Sequence, residues 1–534
     1  MTQKQEHRLV CGDLQDAENP LIKIDSPQSK YLICYLKGLG AKHFVLESAY
    51  FDCDYLAEFA AYYSTSARGY QNYCKRIHFF SEEFSSDLLH QALGGSQPAH
   101  EALCGAYLGF TVIRPIPVTP IGRTVLRWFP NKRSTERVTT PSREYRVHLA
   151  GLPITVTGLA WQQQDAAVAA CATIGLWTIL HSSAFDDSHF IPTTVEITRA
   201  AEGFGARSFP SPGLTIEQIQ EAIKKLRLAP IRSTGSVFLN GQNSAFHRAE
   251  FASICASFIR SGFPVLLGCD LLMKNGNNEL VFVGKHAVCA VGMRENDVPQ
   301  AGAGIYVQDA EAGTFYLHDD NIGPNARFRL IDFDIGQGVM VAALEREQPD
   351  YLEASERDDS FRILIPQALV IAVHENFRIS PKAVQDFGKE LAEMALSVFQ
   401  EISSDALVAY SARFFRLASY LHEGVGKTLS KDPVLAAQTR MKLSEIGPMS
   451  LHVGVIRLSL GNEPLMDAII DTTDGDHRIS SFAHVVYSQL IDECFDVIDQ
   501  ASPDLGGVRN YLNLGIGIKA YHPPSTTEAV LDKQ

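Results

Sequence analysis

The chain has 534 residues, a formal net charge of -14 and 46% hydrophobic residues. That length predicts two to four domains of about 100–200 residues each, and the hydrophobic share suits a soluble globular protein with a sizeable core. The acidic balance argues against wholesale nucleic-acid binding. No apolar run reaches the ~18 residues that a membrane-spanning helix needs. The opening stretch MTQKQEHRLVCGDLQDAENP has no apolar core of signal-peptide length. The ten cysteines (Cys11, Cys34, Cys53, Cys74, Cys104, Cys171, Cys255, Cys269, Cys289 and Cys494) form no C-x-x-C pair. The expectation is a cytoplasmic chain with reduced, buried thiols, without a disulfide framework, a zinc site or another cofactor.

Residues 1–155 read as a β-rich N-terminal region. Polar turns and short strands fill 1–50, with HFVLESAYF a strand. An aromatic, partly helical stretch follows, in which Phe59, Tyr62, Tyr63, Tyr70 and Tyr73 read as a core stripe. GAYLGFTVIRPIPVTPIGRTVLRWF and YRVHLAGLPITVTGLAW alternate apolar and polar residues, the pattern of half-buried strands. Between 122 and 150 stand Arg123, Arg127, Lys132, Arg133, Arg137, Arg143 and Arg146 against Glu136 and Glu144. Such a run reads as a solvated basic loop or hairpin.

Residues 156–345 change character. Positions 166–182 suit a buried helix, broken only by Gly175. TTVEITRAAEGFG reads as a short helix. Thr215 and Gln218 form a capping box ahead of an amphipathic helix with Ile216, Ile219, Ala222, Ile223 and Leu226 on one face. HRAEFASICASFIRSG is another helix. Strands FPVLLGCDL, HAVCAVGMR, GIYVQDA and GTFYLHDDNIGP follow. Helices first and strands second predict an α+β domain with helices packed on an antiparallel sheet. Residues 346–534 read as a third, α+β domain. It opens on a charged linker, PDYLEASERDD, with helices at ISPKAVQDFGKELAEMALSVFQEI and SFAHVVYSQLIDECFDVIDQ and strands at SLHVGVIRLSL and EPLMDAIIDTT.

The chemistry concentrates in the middle region. A cysteine nucleophile acts as its thiolate, which a helix N-terminus or a neighbouring imidazolium favours. Cys171 stands at the start of the buried helix, behind Gln162, Gln163, Gln164 and Asp165. His286, at the start of the strand HAVCAVGM, is a candidate general base. Asp319 or Asp320, at the end of a later strand, is the candidate that holds the imidazole in the right tautomer. Gln164 is a candidate oxyanion donor alongside the Cys171 backbone N–H, with Gln163 a further option. Two other segments carry weaker signals. EGVGKTLS (Glu423 to Ser430) imitates a phosphate-binding loop, but Leu421 replaces its first glycine and the preceding RFFRLASYLH reads as helix. DTTDGDH (Asp471 to His477) and LHDD (His318 to Asp320) are aspartate-rich turns with incomplete metal-ligand sets. No metal is expected.

QQDAAVAACATIGLW, GFPVLLGCDL, HAVCAVGM and YLHDDNIGP, in that order, resemble the papain-like cysteine peptidases, above all their compact bacterial C39-like branch. The resemblance covers about residues 155–335. It implies a papain-like core flanked by the two other regions of a larger bacterial protein. Cys171 would be the nucleophile, His286 the base, Asp319 the orienting acid and Gln164 the oxyanion donor. Departures are Ala170 and Ala172 where Gly and Trp are common, and a Gln seven rather than six residues before the cysteine. Asp165 fills that sixth position. The implied reaction is hydrolysis of a peptide or isopeptide bond through a thioester, on a protein or peptide substrate, with a protein partner from the same pathway. An acyl transferase of transglutaminase type and a non-enzymatic protein with a relict core are the alternatives.

Overall fold

The computed structural model describes residues 9–130, 137–165, 170–185, 190–202, 213–239, 243–295, 303–336, 338–348, 362–402, 404–447, 449–475, 479, 481–501, 509, 512 and 514–522. Several expected features lie outside them: Lys132, Arg133 and Glu136, residues 166–169, the linker at 349–359, and Asp476 and His477. The chain is α+β with mainly antiparallel sheets and forms two compact units. The first comprises Met1–Arg248, Gly262–Glu295 and Gly313–Val373, and the second comprises the rest. Among the described residues no helix is long and apolar enough to cross a membrane.

The first unit opens with a five-stranded antiparallel meander. Its strands are β1 (Leu9–Asp13), β2 (His43–Tyr50), β3 (Cys74–Phe80), β4 (Tyr107–Ile113) and β5 (Ile121–Leu126), in that spatial order. Helix α1 (Pro27–Gly38) interrupts the region expected to be turns and strands. Ser26 caps it by accepting from the Ser29 N–H, and Pro27 takes the first turn, where no N–H is needed. Its Leu32 and Leu36 join Phe44, Phe79, Leu108 and Trp161 in one buried cluster. A hairpin follows, β6 (Arg143–Leu149) with β7 (Leu152–Gly158). The aromatic stripe is only partly a core feature: Tyr63 is buried, whereas Phe59, Tyr62, Tyr70 and Tyr73 are half-buried.

Helix α2 (Cys171–Leu180) is buried along its whole length after Cys171. Such all-round burial needs neighbours on every side. A β-carbon on Gly175 would stand 2.4 Å from Leu266 Cδ1, so the glycine lets the helix lie directly on the next sheet. That sheet is a closed ring of six strands: β8 (Val265–Lys274), β9 (Leu280–Glu295), β10 (Ala312–Asp319), β11 (Gly323–Asp334), β12 (Met340–Arg346) and β13 (Arg362–His374). β13 pairs back onto β8, with Leu266 opposite Val370. Closure removes the free edges that an open sheet would leave. Leu228–Thr234 extends the sheet beside β13, and Arg137–Val138 pairs with β9.

This organisation differs from the expected division at 155 and 345. Trp161 belongs to the core of the first meander, and its backbone exchanges hydrogen bonds with Thr124 of β5. No boundary therefore falls at 155. The ring needs β13 as its sixth strand, so the first unit extends past 345 to Val373, while Ala249–Ser261 and Asn296–Ala312 belong to the second. The basic run at 122–150 is also less solvated than expected. Arg123 is largely buried, 2.6 Å from Asp52 Oδ2, and the Arg137 guanidinium lies over the Trp128 and Tyr316 rings. Cys74, Cys255, Cys269, Cys289 and Cys494 are buried, as expected, but Cys53 is exposed.

The second unit holds a six-stranded sheet in the order Gly304–Val307, Leu407–Arg416, His452–Leu460, Glu463–Asp471, Ser481–Val486 and Leu514–Lys519. Its two outermost pairings are parallel and the rest antiparallel. Two segments expected to be helical contribute strands. SFAHVV pairs with Glu463–Asp471 before the helix Gln489–Ala501 begins, and RFFR ends the strand Leu407–Arg416. In both, apolar side chains (Phe414; Ala483 and Val485) are buried in the sheet's core, which overrides the helical tendency of the adjoining residues.

Candidate active site

Three structural devices bring Cys171, His286 and Asp319 together. Cys171 is the first residue of α2, after the extended Ala170, with no side-chain cap on the helix. Its thiol therefore lies among backbone N–H groups that have no helical partner. The far end of the helix is pinned: Trp177 Nε1 donates to Asp54 Oδ1 at 3.2 Å, and Thr178 Oγ1 to the Ala160 carbonyl at 3.2 Å. His286 sits in β9 opposite Cys269 of β8, with its ring buried. Asp319 ends β10, and the chain turns there into β11.

The His286 ring bridges the other two. Its Nε2 lies 3.0 Å from Asp319 Oδ1, and the ring also hydrogen-bonds the Cys171 side chain. With Nε2 on the carboxylate, Nδ1 is the nitrogen left for the thiol. Asp320 Oδ1 stands 3.8 Å from the same Nε2. Burial alone would lower the imidazole pKa. The Asp319 carboxylate outweighs it, and the Cys171 hydrogen bond and Asp320 add to the effect, so the ring holds its proton well above the usual imidazole range. Asp319 is held below the usual carboxylate range: burial raises it, but the charge and hydrogen bond of His286 win, helped by Arg362 and the Asn321 N–H. Asp320 behaves oppositely. Burial and the neighbouring Asp319 charge, set against the pull of His286, push it up to about 7. Of the two aspartates open in the sequence, Asp319 is thus the ionised partner of the ring.

The turn that carries Asp319 is gripped from several directions. Asp319 Oδ1 accepts from the Asn321 N–H at 2.9 Å, an Asx turn that fixes the carboxylate from its own side. Trp161 Nε1 donates to the Asp319 carbonyl at 3.1 Å and Gln28 Nε2 to the Asp320 carbonyl at 3.1 Å. Tyr31 Oη donates to the Pro324 carbonyl at 2.8 Å. Gln28 and Tyr31 are in α1, so the N-terminal region helps to build the site.

The glutamine run divides by side-chain partner. Gln164 Nε2 stands 3.5 Å from Asn321 Oδ1, and Asn321 Nδ2 lies 3.4 Å from His286 Nε2. Gln164 is half-buried and reaches the site. Gln163 does not: its Oε1 accepts from the Ile121 N–H at 3.4 Å and its carbonyl from Arg114 Nη2 at 3.2 Å. Asp165 is buried and accepts from the Tyr63 hydroxyl. A buried pair, Arg114 Nη1 and Glu58 Oε2 at 3.0 Å, underlies this segment. Sequence reasoning misses Asn321, although it directly follows the paired aspartates, where an Asx turn is at home. Trp161, which holds the turn through its indole N–H, carries no local signal at all.

His286, Asp319 and Asp320 also offer three ligand atoms within 4.8 Å of one another. Oδ2 of each aspartate is buried and has no hydrogen-bond partner among the described residues. These are hard oxygen donors with one imidazole, a set that suits a divalent cation. The imidazole nitrogen it would use is the one on Asp319. No protein-family model matches the chain, and no curated protein matches it.

Proposed function

We propose that the chain is a papain-like cysteine hydrolase of peptide or isopeptide bonds, with Cys171 as nucleophile, His286 as base and Asp319 as orienting acid. One observation carries this reading: the His286 ring is shared between the Cys171 side chain and the Asp319 carboxylate. Support comes from chain order, from the place of Cys171 at a helix start, and from the closed sheet that presents His286 and Asp319 on neighbouring strands.

The reaction follows from these positions. The proton that His286 holds, balanced by Asp319 across Nε2, is the one that leaves Cys171 as its thiolate. The thiolate attacks the substrate carbonyl carbon, the C=O π pair moves to oxygen, and a tetrahedral oxyanion forms. The Cys171 N–H and the Gln164 amide are the donors for that oxygen. As the C–N bond breaks, His286 gives its proton to the leaving amine, which leaves an acyl thioester on Cys171. His286 then takes a proton from water, hydroxide adds to the thioester, and Cys171 departs with the acid product released.

The test is iodoacetamide alkylation of the native protein between pH 5 and 9, with each of the ten cysteines mapped by mass spectrometry. Cys171 is expected to react at least tenfold faster than the other thiols below pH 7, and to lose that advantage in His286→Ala. A Cys171 that reacts like the buried thiols, or is indifferent to His286, overturns the proposal. An amide product with added amines would assign the same site to acyl transfer.

A further inference from the structure

The second unit contains a cavity of about 160 Å³ under the segment that imitates a phosphate-binding loop. The segment has no such loop: Tyr420–Val425 is a single wide helical turn running into the short helix Gly426–Thr428. Wide turns of this kind occur often at functional sites. A β-carbon on Gly424 would stand 2.5 Å from Tyr420 Cδ2, so the glycine lets the turn close over that ring. The floor is one face of the sheet. Cross-strand register sets Ser411 opposite Arg457 and Arg413 opposite Val455, and Asp467 follows Arg457 on the next strand.

The polar groups there are organised around one guanidinium. Arg457 Nε and Nη2 reach Asp467 Oδ1 and Oδ2, both at 2.7 Å. Asp467 is fully buried and also accepts from the hydroxyls of Tyr420 at 3.0 Å and Tyr487 at 2.8 Å. The Arg457 plane lies over the Tyr487 ring, its Cζ 5.4 Å from the centroid. Nη2 also reaches the Gly424 carbonyl at 3.5 Å, so the arginine, which lines the cavity, is locked before any ligand arrives. A fixed, planar guanidinium favours an oxyanion over a neutral partner. Arg413 and Lys427 also line the space, with Glu423 the lining carboxylate, 3.3 Å from Lys427 Nζ. Phe415, Tyr420 and Val455 supply an apolar wall.

We infer that this cavity binds the phosphate or carboxylate group of a small molecule that carries a short apolar body, with Arg457 as its principal anchor. The volume is close to that of a roughly 150 Å³ cavity able to hold a benzene ring. The ligand would be a regulator or a second substrate; its site is independent of Cys171.

Isothermal titration of the full chain tests this with three probes: phenyl phosphate, benzoate and the neutral benzyl alcohol. One molecule per chain of phenyl phosphate or benzoate is expected to bind, and whichever binds more tightly identifies the headgroup. Arg457→Lys keeps a cation beside Asp467 but removes the planar fork; it should weaken binding at least tenfold. Lys427→Ala alters an exposed side chain that the fold does not need, and should weaken binding a few-fold. Equal binding of benzyl alcohol, unchanged affinity in both variants, or no binding of either anion at about 10 mM, beyond the millimolar end of the affinity scale, would overturn the inference.

Discussion

The ring of Tyr31 and the backbone of Gly323 occupy one space: a β-carbon on Gly323 would stand 2.1 Å from Tyr31 Cδ1. Gly323 is the residue that pairs with Asp319 across the turn, and Tyr31 Oη holds the Pro324 carbonyl. Gly323→Ala must therefore push α1 and the acid-bearing turn apart. We expect a loss of about 1–3 kcal/mol in urea unfolding, the range of overpacked sites. Tyr31→Ala in the same chain should recover part of it, a coupling that a double-mutant cycle reads directly. Additive losses would show that the two residues do not share the contact.

Asp320 makes stability depend on pH. An aspartate in the unfolded chain titrates near 3.9, whereas folded Asp320 keeps its proton up to about 7. Between those values the native state binds more protons, so this residue's contribution falls as pH rises from about 4 to 7. His286 acts in the same direction, since its folded pKa is raised. Its contribution is complete below about 6.5 and disappears as pH climbs through the folded value. Asp319 runs the other way: its stabilisation is present above about 3.9 and is lost as pH falls through its depressed folded value. Asp320→Asn should flatten the slope between about pH 4 and 7 and add about 2–4 kcal/mol at pH 8. It should leave Cys171 alkylation fast, because Asp319 still holds the ring, whereas Asp319→Asn should slow it at least tenfold. An unchanged stability slope in Asp320→Asn would mean that Asp320 is ionised in the fold.

The buried Arg114–Glu58 pair links stability to the site. Arg114 also donates to the carbonyls of Thr119 at 2.8 Å and Gln163, and Thr194 Oγ1 donates to Glu58 Oε1 at 2.9 Å. Removing one member of such a pair strands the other charge, at a cost of about 3–5 kcal/mol. Arg114→Ala should show that loss in chemical denaturation. It should also slow Cys171 alkylation, since the Gln162–Asp165 stretch that leads to α2 loses its anchor. Adding Glu58→Gln should restore part of the stability, and failure to do so would place the effect elsewhere than in the ion pair.

Legibility in the sequence follows the range of the interactions involved. The Thr215–Gln218 capping box is local chemistry, and both of its hydrogen bonds form. GAYLGFTVIRPIPVTPIGRTVLRWF and the apolar run HAVCAVGMR both form strands as expected, but Tyr107–Ile113 and Ile121–Leu126 are buried on both faces rather than half-buried, because the sheet is covered on each side. Cys171 and Asp319 are visible because a reactive residue type coincides with an element end; His286, expected at the start of a strand, stands inside β9, which begins at Leu280. The contacts that bind them into one place are not visible. Ring closure by β13 depends on pairing with β8 across about 100 residues of chain, and no local pattern encodes a partner at that distance. Helix α1 escapes a local reading because its hydrophobic residues Leu32, Tyr35 and Leu36 face a core that includes Trp161, far along the chain. Asn321 is a polar turn residue until Gln164 and His286 are seen on either side of it.

Gln164 separates an oxyanion donor from a mere tether of Asn321. Its Nε2 stands 3.5 Å from Asn321 Oδ1, a long contact that a substrate oxyanion would replace with a shorter, charge-assisted one. If it donates to the oxyanion, Gln164→Ala should lower acylation of Cys171 by an activated peptide ester about 10²–10³-fold, the effect of losing one oxyanion donor. Iodoacetamide alkylation, which passes through no oxyanion, should stay nearly unchanged. If Gln164 only steadies Asn321, the two rates should fall together, because the loss would act through the His286 ring. Asn321→Ala provides the comparison: its Nδ2 lies 3.4 Å from His286 Nε2, so the loss would act through the imidazole and is expected to slow both reactions to a similar, smaller extent. A Gln164→Ala chain that matches Asn321→Ala in both assays would assign the oxyanion to the Cys171 N–H and its helix neighbours alone.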